Sequence, residues 1–147
     1  MNRTFPASFQ RWLVVDDDDV MGGVISLIVR GLGPSSIDRY ESAADALASV
    51  LDGKTYDVVV TDRDMTGVDG VDFARRIHAE MPHARIVMVT AHVDDLSVAE
   101  LHRAGVYALL PKPFSTSLFE ATARAMACEP VGRLSSGTHA AVEHRAA

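Results

Sequence analysis

The chain has 147 residues, 48% of them hydrophobic and 23% charged, with a formal charge of −6 at pH 7. That size and apolar content suit one domain with a packed core, and the acidic balance, with no dense Lys/Arg cluster to reverse it locally, excludes a general affinity for nucleic acid. The single cysteine, Cys128, cannot form an internal disulfide, no run approaches the roughly 18 apolar residues of a membrane helix, and residues 1–11 lack a signal-peptide core, so a soluble cytoplasmic protein with no membrane partner is expected.

Trp12 to Val15 reads as a first buried strand, followed by a helix on which Val24, Ile25, Ile28 and Leu32 recur at helical spacing up to Gly31, Gly33 and Pro34. Gly22 and Gly23 weaken its first turn. Ile37 to Tyr40 reads as an edge strand; Ser42 with Asp45 resembles a capping box opening a helix with Ala44, Leu47, Ala48 and Leu51 on one face, closed by Asp52-Gly53. Val58, Val59 and Val60 form the continuous β-branched run of a central strand covered on both faces. A loop rich in Gly and Asp, Asp64 to Gly70, leads to a helix with Phe73, Ala74, Ile77 and Met81, ended by Pro82, and Ile86 to Val89 is the fourth strand. Leu96 to Arg103 follows as a helix closed by Gly105, then a short edge strand, Ala108 to Leu110, limited by Pro111. Ser115 to Cys128 is the fifth helix, with Leu118, Thr122, Ala125 and Met126 inward, and residues 129–147 carry Pro, Gly and Ser with little periodicity, as in a flexible tail.

Five strand-helix pairs specify an α/β domain: a doubly wound, five-stranded parallel sheet with helices on both faces and right-handed crossovers. No internal repeat or second domain is visible, and the chain divides into an N-terminal extension (1–11), the domain (12–128) and the tail (129–147). Parallel strands all end on one side, and open sheets of this type bind ligands beyond those ends where strand order reverses. The residues that would meet there are Asp16 and Asp17, Asp62, Thr90 and Lys112.

Asp18 and Asp19 suit the N-cap and first turn of the first helix, but capping does not account for four consecutive acids beside a buried strand. A bound divalent cation offsets such repulsion. Mg²⁺ favours an oxygen shell of one or two carboxylates, waters and substrate phosphate, which suits Asp17 and Asp62 with a main-chain carbonyl of the following loop. Thr90 would add a hydroxyl and Lys112, held between Pro111 and Pro113, a point charge, together the electrostatic stabilisation that phosphoryl transfer needs.

In order and spacing, Leu13-Val14-Val15-Asp16-Asp17, Tyr56-Asp57-Val58-Val59-Val60-Thr61-Asp62, Val68-Asp69-Gly70, Met88-Val89-Thr90-Ala91 and Lys112-Pro113-Phe114 resemble the receiver domains of two-component response regulators, over residues 12 to about 127. The resemblance implies the flavodoxin-like strand order 2-1-3-4-5, Asp62 as phosphoacceptor, Asp16 and Asp17 as metal-binding acids completed by the Asp64 main-chain carbonyl, Thr90 as switch hydroxyl, and Lys112 as the family lysine followed by a cis proline. It also implies Mg²⁺ as cofactor and a stand-alone, chemotaxis-regulator-like protein. A sensor histidine kinase or histidine phosphotransfer protein would be the donor. A downstream protein target would use the face made by helix 4, strand 5 and helix 5, with no contact to nucleic acid. Such a protein is a signalling phosphoacceptor with self-catalysed phosphorylation and dephosphorylation rather than an enzyme.

Four positions bear on how this chain compares with the family pattern. Leu109 stands where many members carry an aromatic switch residue, Thr66 replaces a frequent proline and is expected to loosen its loop, and Asp64 and His92 occupy positions that modulate phosphate lifetime. The other histidines, His78, His83, His102, His139 and His144, form no metal-ligand spacing and suit the surface. Asp62-Arg63-Asp64-Met65-Thr66 is also similar to the DxDxT signature of haloacid-dehalogenase phosphatases, which would use Asp62 as nucleophile and Asp64 as acid/base. That motif usually opens the first strand of a longer chain and does not explain Asp16-Asp17. A third alternative keeps the receiver scaffold without phosphorylation.

Overall fold

The computed structural model describes residues 11–34 and 36–128. The expected extension and tail lie outside them, except that Arg11 already belongs to the first strand. In chain order the elements are β1 (Arg11–Val15), α1 (Asp19–Gly31), β2 (Ser36–Tyr40), α2 (Ala43–Leu51), β3 (Val58–Asp62), β4 (Asp64–Met65), β5 (Val68–Asp69), α3 (Gly70–Glu80), β6 (Arg85–Thr90), α4 (Val98–Arg103), β7 (Val106–Pro111) and α5 (Thr116–Cys128). A single 3-10 turn, Val93–Asp95, precedes α4. The main sheet is parallel throughout in the order β2-β1-β3-β6-β7, which is the expected 2-1-3-4-5 when its five strands are counted in sequence. Among the described residues no helix is long and apolar enough to cross a membrane.

Alternation along the strands divides the core into two layers. Leu13, Val15, Val59, Ile86 and Met88 face α2, α3 and α4, whereas Trp12, Val14, Val58, Val60, Val87 and Val89 face α1 and α5. Every residue of β3 is buried, in accord with a central strand apolar on both faces. Between Ile86↔Val106 and Val87↔Ala108 the register shifts, so Tyr107 is an extra residue. That bulge leaves Tyr107 and Ala108 both in the α1/α5 layer and turns Leu109 towards α4.

Helix phases differ from the sequence expectation. In α1 the buried set is Gly22, Ile25 and Val29, and Val24 is 43% exposed. In α2 it is Ala43, Ala46, Leu47, Ser49 and Val50, with Ala44, Ala48 and Leu51 outward. That alanine-rich segment carries two adjacent stripes, and contact with the sheet selects the one ending in Val50. In α5 Phe119 and Ala123 are buried with Thr122 and Met126, and Ala125 is exposed; Phe119 stacks near Trp12 and Phe114, with centroids 6.5 and 5.7 Å away. The fourth helix begins at Val98, not Leu96, because Ser97 caps it, its hydroxyl accepting from Glu100 N–H at 3.3 Å. The last strand has six residues rather than three: among the described residues β7 pairs only with β6, so Pro111 can close it without a missing donor in the ladder.

Candidate functional site

Three carboxyl ends of the sheet are tied together by main-chain hydrogen bonds just beyond the strands. Arg63 N–H donates to Val89 O at 3.0 Å, Lys112 N–H to Thr90 O at 2.8 Å, and Gly70 N–H to Arg63 O at 2.7 Å. Gly70 is required there, since a Cβ would lie 2.5 Å from both Arg63 Cα and Asp62 O. The sheet thereby brings Asp16, Asp17, Asp62 and Lys112 into one cluster, with Thr90 at the adjoining strand end. Asp16, Asp17 and Asp62 each offer an oxygen within 4.8 Å of the others. Lys112 Nζ stands 3.2 Å from Asp62 Oδ1 and 3.7 Å from Asp16 Oδ2. The Lys112-Pro113 peptide is cis.

Asp16 is fully buried. Its Oδ1 accepts from Asp18 N–H at 2.9 Å, while Oδ2 is buried with no hydrogen-bond partner among the described residues. Burial pushes its pKa above the ordinary carboxylate value, against the pull of the Asp18 N–H and Lys112. A buried carboxylate oxygen without a hydrogen bond, beside two further carboxylates, is the donor set of a hard divalent cation, so these residues fit Mg²⁺. Asp18 is the N-cap of α1, its carboxylate accepting from Val20 and Met21 N–H, and Asp19 in the first turn pairs with Arg39. Two of the four acids therefore serve the helix and two the cluster, as their spacing implied.

Asp62 is 5% exposed at the tip of β3, and its Oδ1 also accepts from Asp64 N–H at 3.3 Å. Thr90 is fully buried; its hydroxyl donates to Asp64 Oδ2 at 3.3 Å and accepts from His92 N–H at 2.9 Å. Asp64, expected to lend its main-chain carbonyl to the metal and to modulate phosphate lifetime, also engages the Thr90 hydroxyl through its side chain. That contact was not legible in sequence, because it depends on how the β3–α3 loop folds back.

Thr66 corrects an expectation. Instead of loosening its loop, it fastens it: Thr66 N–H and Oγ1–H both donate to Asp17 Oδ2, at 2.8 and 2.9 Å. These bonds, the N–H first, hold the Asp17 carboxyl below the ordinary range. The loop itself contains a small hairpin, β4 with β5, whose turn is Thr66-Gly67. A turn dipeptide between Met65 and Val68 was the available signal, but the run was too short to read as strands.

Comparison with known proteins agrees with this architecture. The family model described as "Response regulator receiver domain" matches residues 12–124. The chemotaxis protein CheY-3 of Vibrio cholerae is 32% identical over 107 residues, covering 71% of this chain and 82% of that protein. The chemotaxis protein CheY of Pseudomonas aeruginosa is 31% identical over 110 residues, 74% of this chain and 88% of its own. Among solved structures, the BeF3-activated receiver domain of DrrB, a Thermotoga maritima protein, superposes with a TM-score of 0.69 at 26% identity, covering 79% of this chain and 95% of that one.

Proposed function

The chain belongs to the response regulator receiver family, and we propose that it accepts a phosphoryl group on Asp62 from a sensor histidine kinase or histidine phosphotransfer protein, in a Mg²⁺-dependent reaction in the cytoplasm. The observation that carries this reading is the Asp62 carboxylate at a buried strand tip, 3.2 Å from the Lys112 ammonium and within reach of two further acids. An Asp62 oxygen attacks the phosphorus of a phosphohistidine; the new P–O bond forms as the P–N bond breaks, and the bonding pair leaves with the imidazole nitrogen. Lys112 opposes the charge that gathers on the transferred group. Mg²⁺, when held by Asp16, Asp17, Asp62 and the Asp64 main-chain carbonyl, supplies the charge neutralisation that lets an anionic donor approach an anionic nucleophile. Water later attacks phosphorus, releasing inorganic phosphate and restoring the carboxylate.

Thr90 is the switch in this reading. Its hydroxyl leaves Asp64 Oδ2 for a phosphoryl oxygen, which biases a pre-existing equilibrium. The face of α4, β7 and α5 then binds a downstream protein or the phosphoryl group passes on in a relay. Leu109, 1% exposed in the layer that holds Leu101 of α4, occupies the core of that face without an aromatic side chain. The phosphatase reading of Asp62 and Asp64 is not retained, since the motif closes the third strand of a receiver-family sheet.

The test is intact mass after incubation with acetyl phosphate and Mg²⁺, beside Asp62→Asn and an EDTA control. One base-labile phosphoryl adduct on wild type alone is expected. No adduct, and no beryllofluoride binding, would leave a receiver scaffold that does not take phosphate.

A further inference from the structure

We infer that Thr66 is a positioning residue for the metal-binding carboxylate of Asp17, its main-chain N–H and its hydroxyl gripping one oxygen of that carboxylate in a fork. The inference rests on the functional reading above. Asp17 is exposed, so the sheet that buries Asp16 and Asp62 does not restrain its side chain. What restrains it is a residue 49 positions away, through two bonds of 2.8 and 2.9 Å to Oδ2. A carboxylate free to rotate would have to be ordered each time a cation bound; one already held beside Asp16 and Asp62 does not carry that cost.

The local backbone explains why Thr66 can act this way. Met65 pairs with Val68, so Thr66 and Gly67 are the two turn residues. Gly67 has φ 74° while Thr66, like every described non-glycine residue, has negative φ, which is the type II pattern. The N–H of the first central residue has no partner inside such a turn and is free to point outward. Proline is favoured at that same position, yet it offers neither N–H nor hydroxyl. The residue type at 66 therefore decides whether the loop merely turns or also grips Asp17.

Metal affinity of the full chain is the readout, independent of any phosphorylation. Mn²⁺, an octahedral oxygen-seeking stand-in, is titrated and followed by electron paramagnetic resonance, with Mg²⁺ competition. Thr66→Val, which removes the hydroxyl at constant shape, should weaken binding roughly tenfold, the lower end for loss of an outer-shell partner. Thr66→Pro, which removes both donors, should weaken it further, and Thr66→Ser should recover what Thr66→Val loses. In an Asp17→Asn background Thr66→Val should have no added effect, because the carboxylate it positions is gone. Urea midpoints of each variant separate lost positioning from lost folding. If Thr66→Val and Thr66→Pro bind Mn²⁺ as tightly as wild type, or more tightly, while Asp17→Asn still weakens binding, the fork does not position Asp17 and the inference falls with the functional reading intact. If wild type binds neither ion, both fall together.

Discussion

Asp16→Asn should make the metal-free protein more stable, not less. The variant keeps an acceptor for Asp18 N–H and a near-identical shape, but removes a fully buried charge whose Oδ2 has no hydrogen-bond partner among the described residues. At an effective dielectric of about 20, the attraction of Lys112 at 3.7 Å is about 4 kcal/mol. Repulsions from Asp17 and Asp62, with oxygens no more than 4.8 Å apart, are each at least about 3.5 kcal/mol on the same scale. Solvent screens the exposed Asp17, and Lys112 is shared with Asp62, so both sides shrink. Burial still counts against the charge, and a net gain of about 1–3 kcal/mol is expected for the variant at pH 7 in EDTA. Because the folded pKa of Asp16 is raised, the native state binds protons more readily than the unfolded one. Wild-type stability from this group therefore rises as the pH falls from 7 towards the unfolded value of 3.8, and the advantage of the variant narrows. Mg²⁺ should act oppositely, stabilising wild type by about 1.4 kcal/mol at ten times Kd and leaving the variant nearly unmoved. Urea titrations at pH 7 and 5, with EDTA and with Mg²⁺, measure all four quantities. A variant less stable than wild type in EDTA would refute the reasoning.

Other substitutions probe separate parts of the molecule. Gly70→Ala forces a Cβ to within 2.5 Å of main-chain atoms at the tip of β3 and should cost about 3 kcal/mol or more, read by urea denaturation; a cost under about 0.5 kcal/mol would mean the loop yields freely. Tyr56→Phe removes the hydroxyl that donates to Asp38 Oδ2 at 2.7 Å and holds that carboxyl below its ordinary range. About 1 kcal/mol should be lost at pH 7 and less as the pH falls through 3.8 and below, where Asp38 protonates; a loss that is the same at pH 7 and pH 3 would contradict this. Asp64→Ala frees the Thr90 hydroxyl and removes a rim charge while keeping the Asp64 carbonyl, so phosphorylation by acetyl phosphate should be about twofold faster or more in a mass-spectrometric time course, and a slower reaction would contradict the restraint.

The strand ends were legible because a parallel sheet covered on both faces leaves its chemistry little choice of place. Val58 to Val60 announce a central strand, so Asp62 must sit at a buried tip, and Asp16, Thr90 and Lys112 follow by the same argument. Helix phase was less legible, since α2 offers Ala43/Ala46/Leu47/Val50 and Ala44/Leu47/Ala48/Leu51 as neighbouring stripes of similar polarity, and only contact with the sheet decides. The bulge at Tyr107 was invisible because it adds a residue without changing composition. Thr66 is illegible for a different reason: the lack of a proline ring predicts a looser loop, whereas the residue present supplies two donors to a carboxylate far away in sequence.

The cluster can carry three acids and a lysine because its framework does not depend on them. The strand tips are registered by main-chain bonds, Arg63 to Val89 and Lys112 to Thr90, and by the two apolar layers beneath, none of which uses a side chain of the cluster. Substitutions of Asp16, Asp17, Asp62 or Lys112 should therefore change charge and cation affinity while leaving the sheet in place. Lys112 differs in one respect: removing it leaves Asp16 and Asp62 buried without a counter-charge, so its loss should destabilise the metal-free fold, and added Mg²⁺ should restore much of the loss.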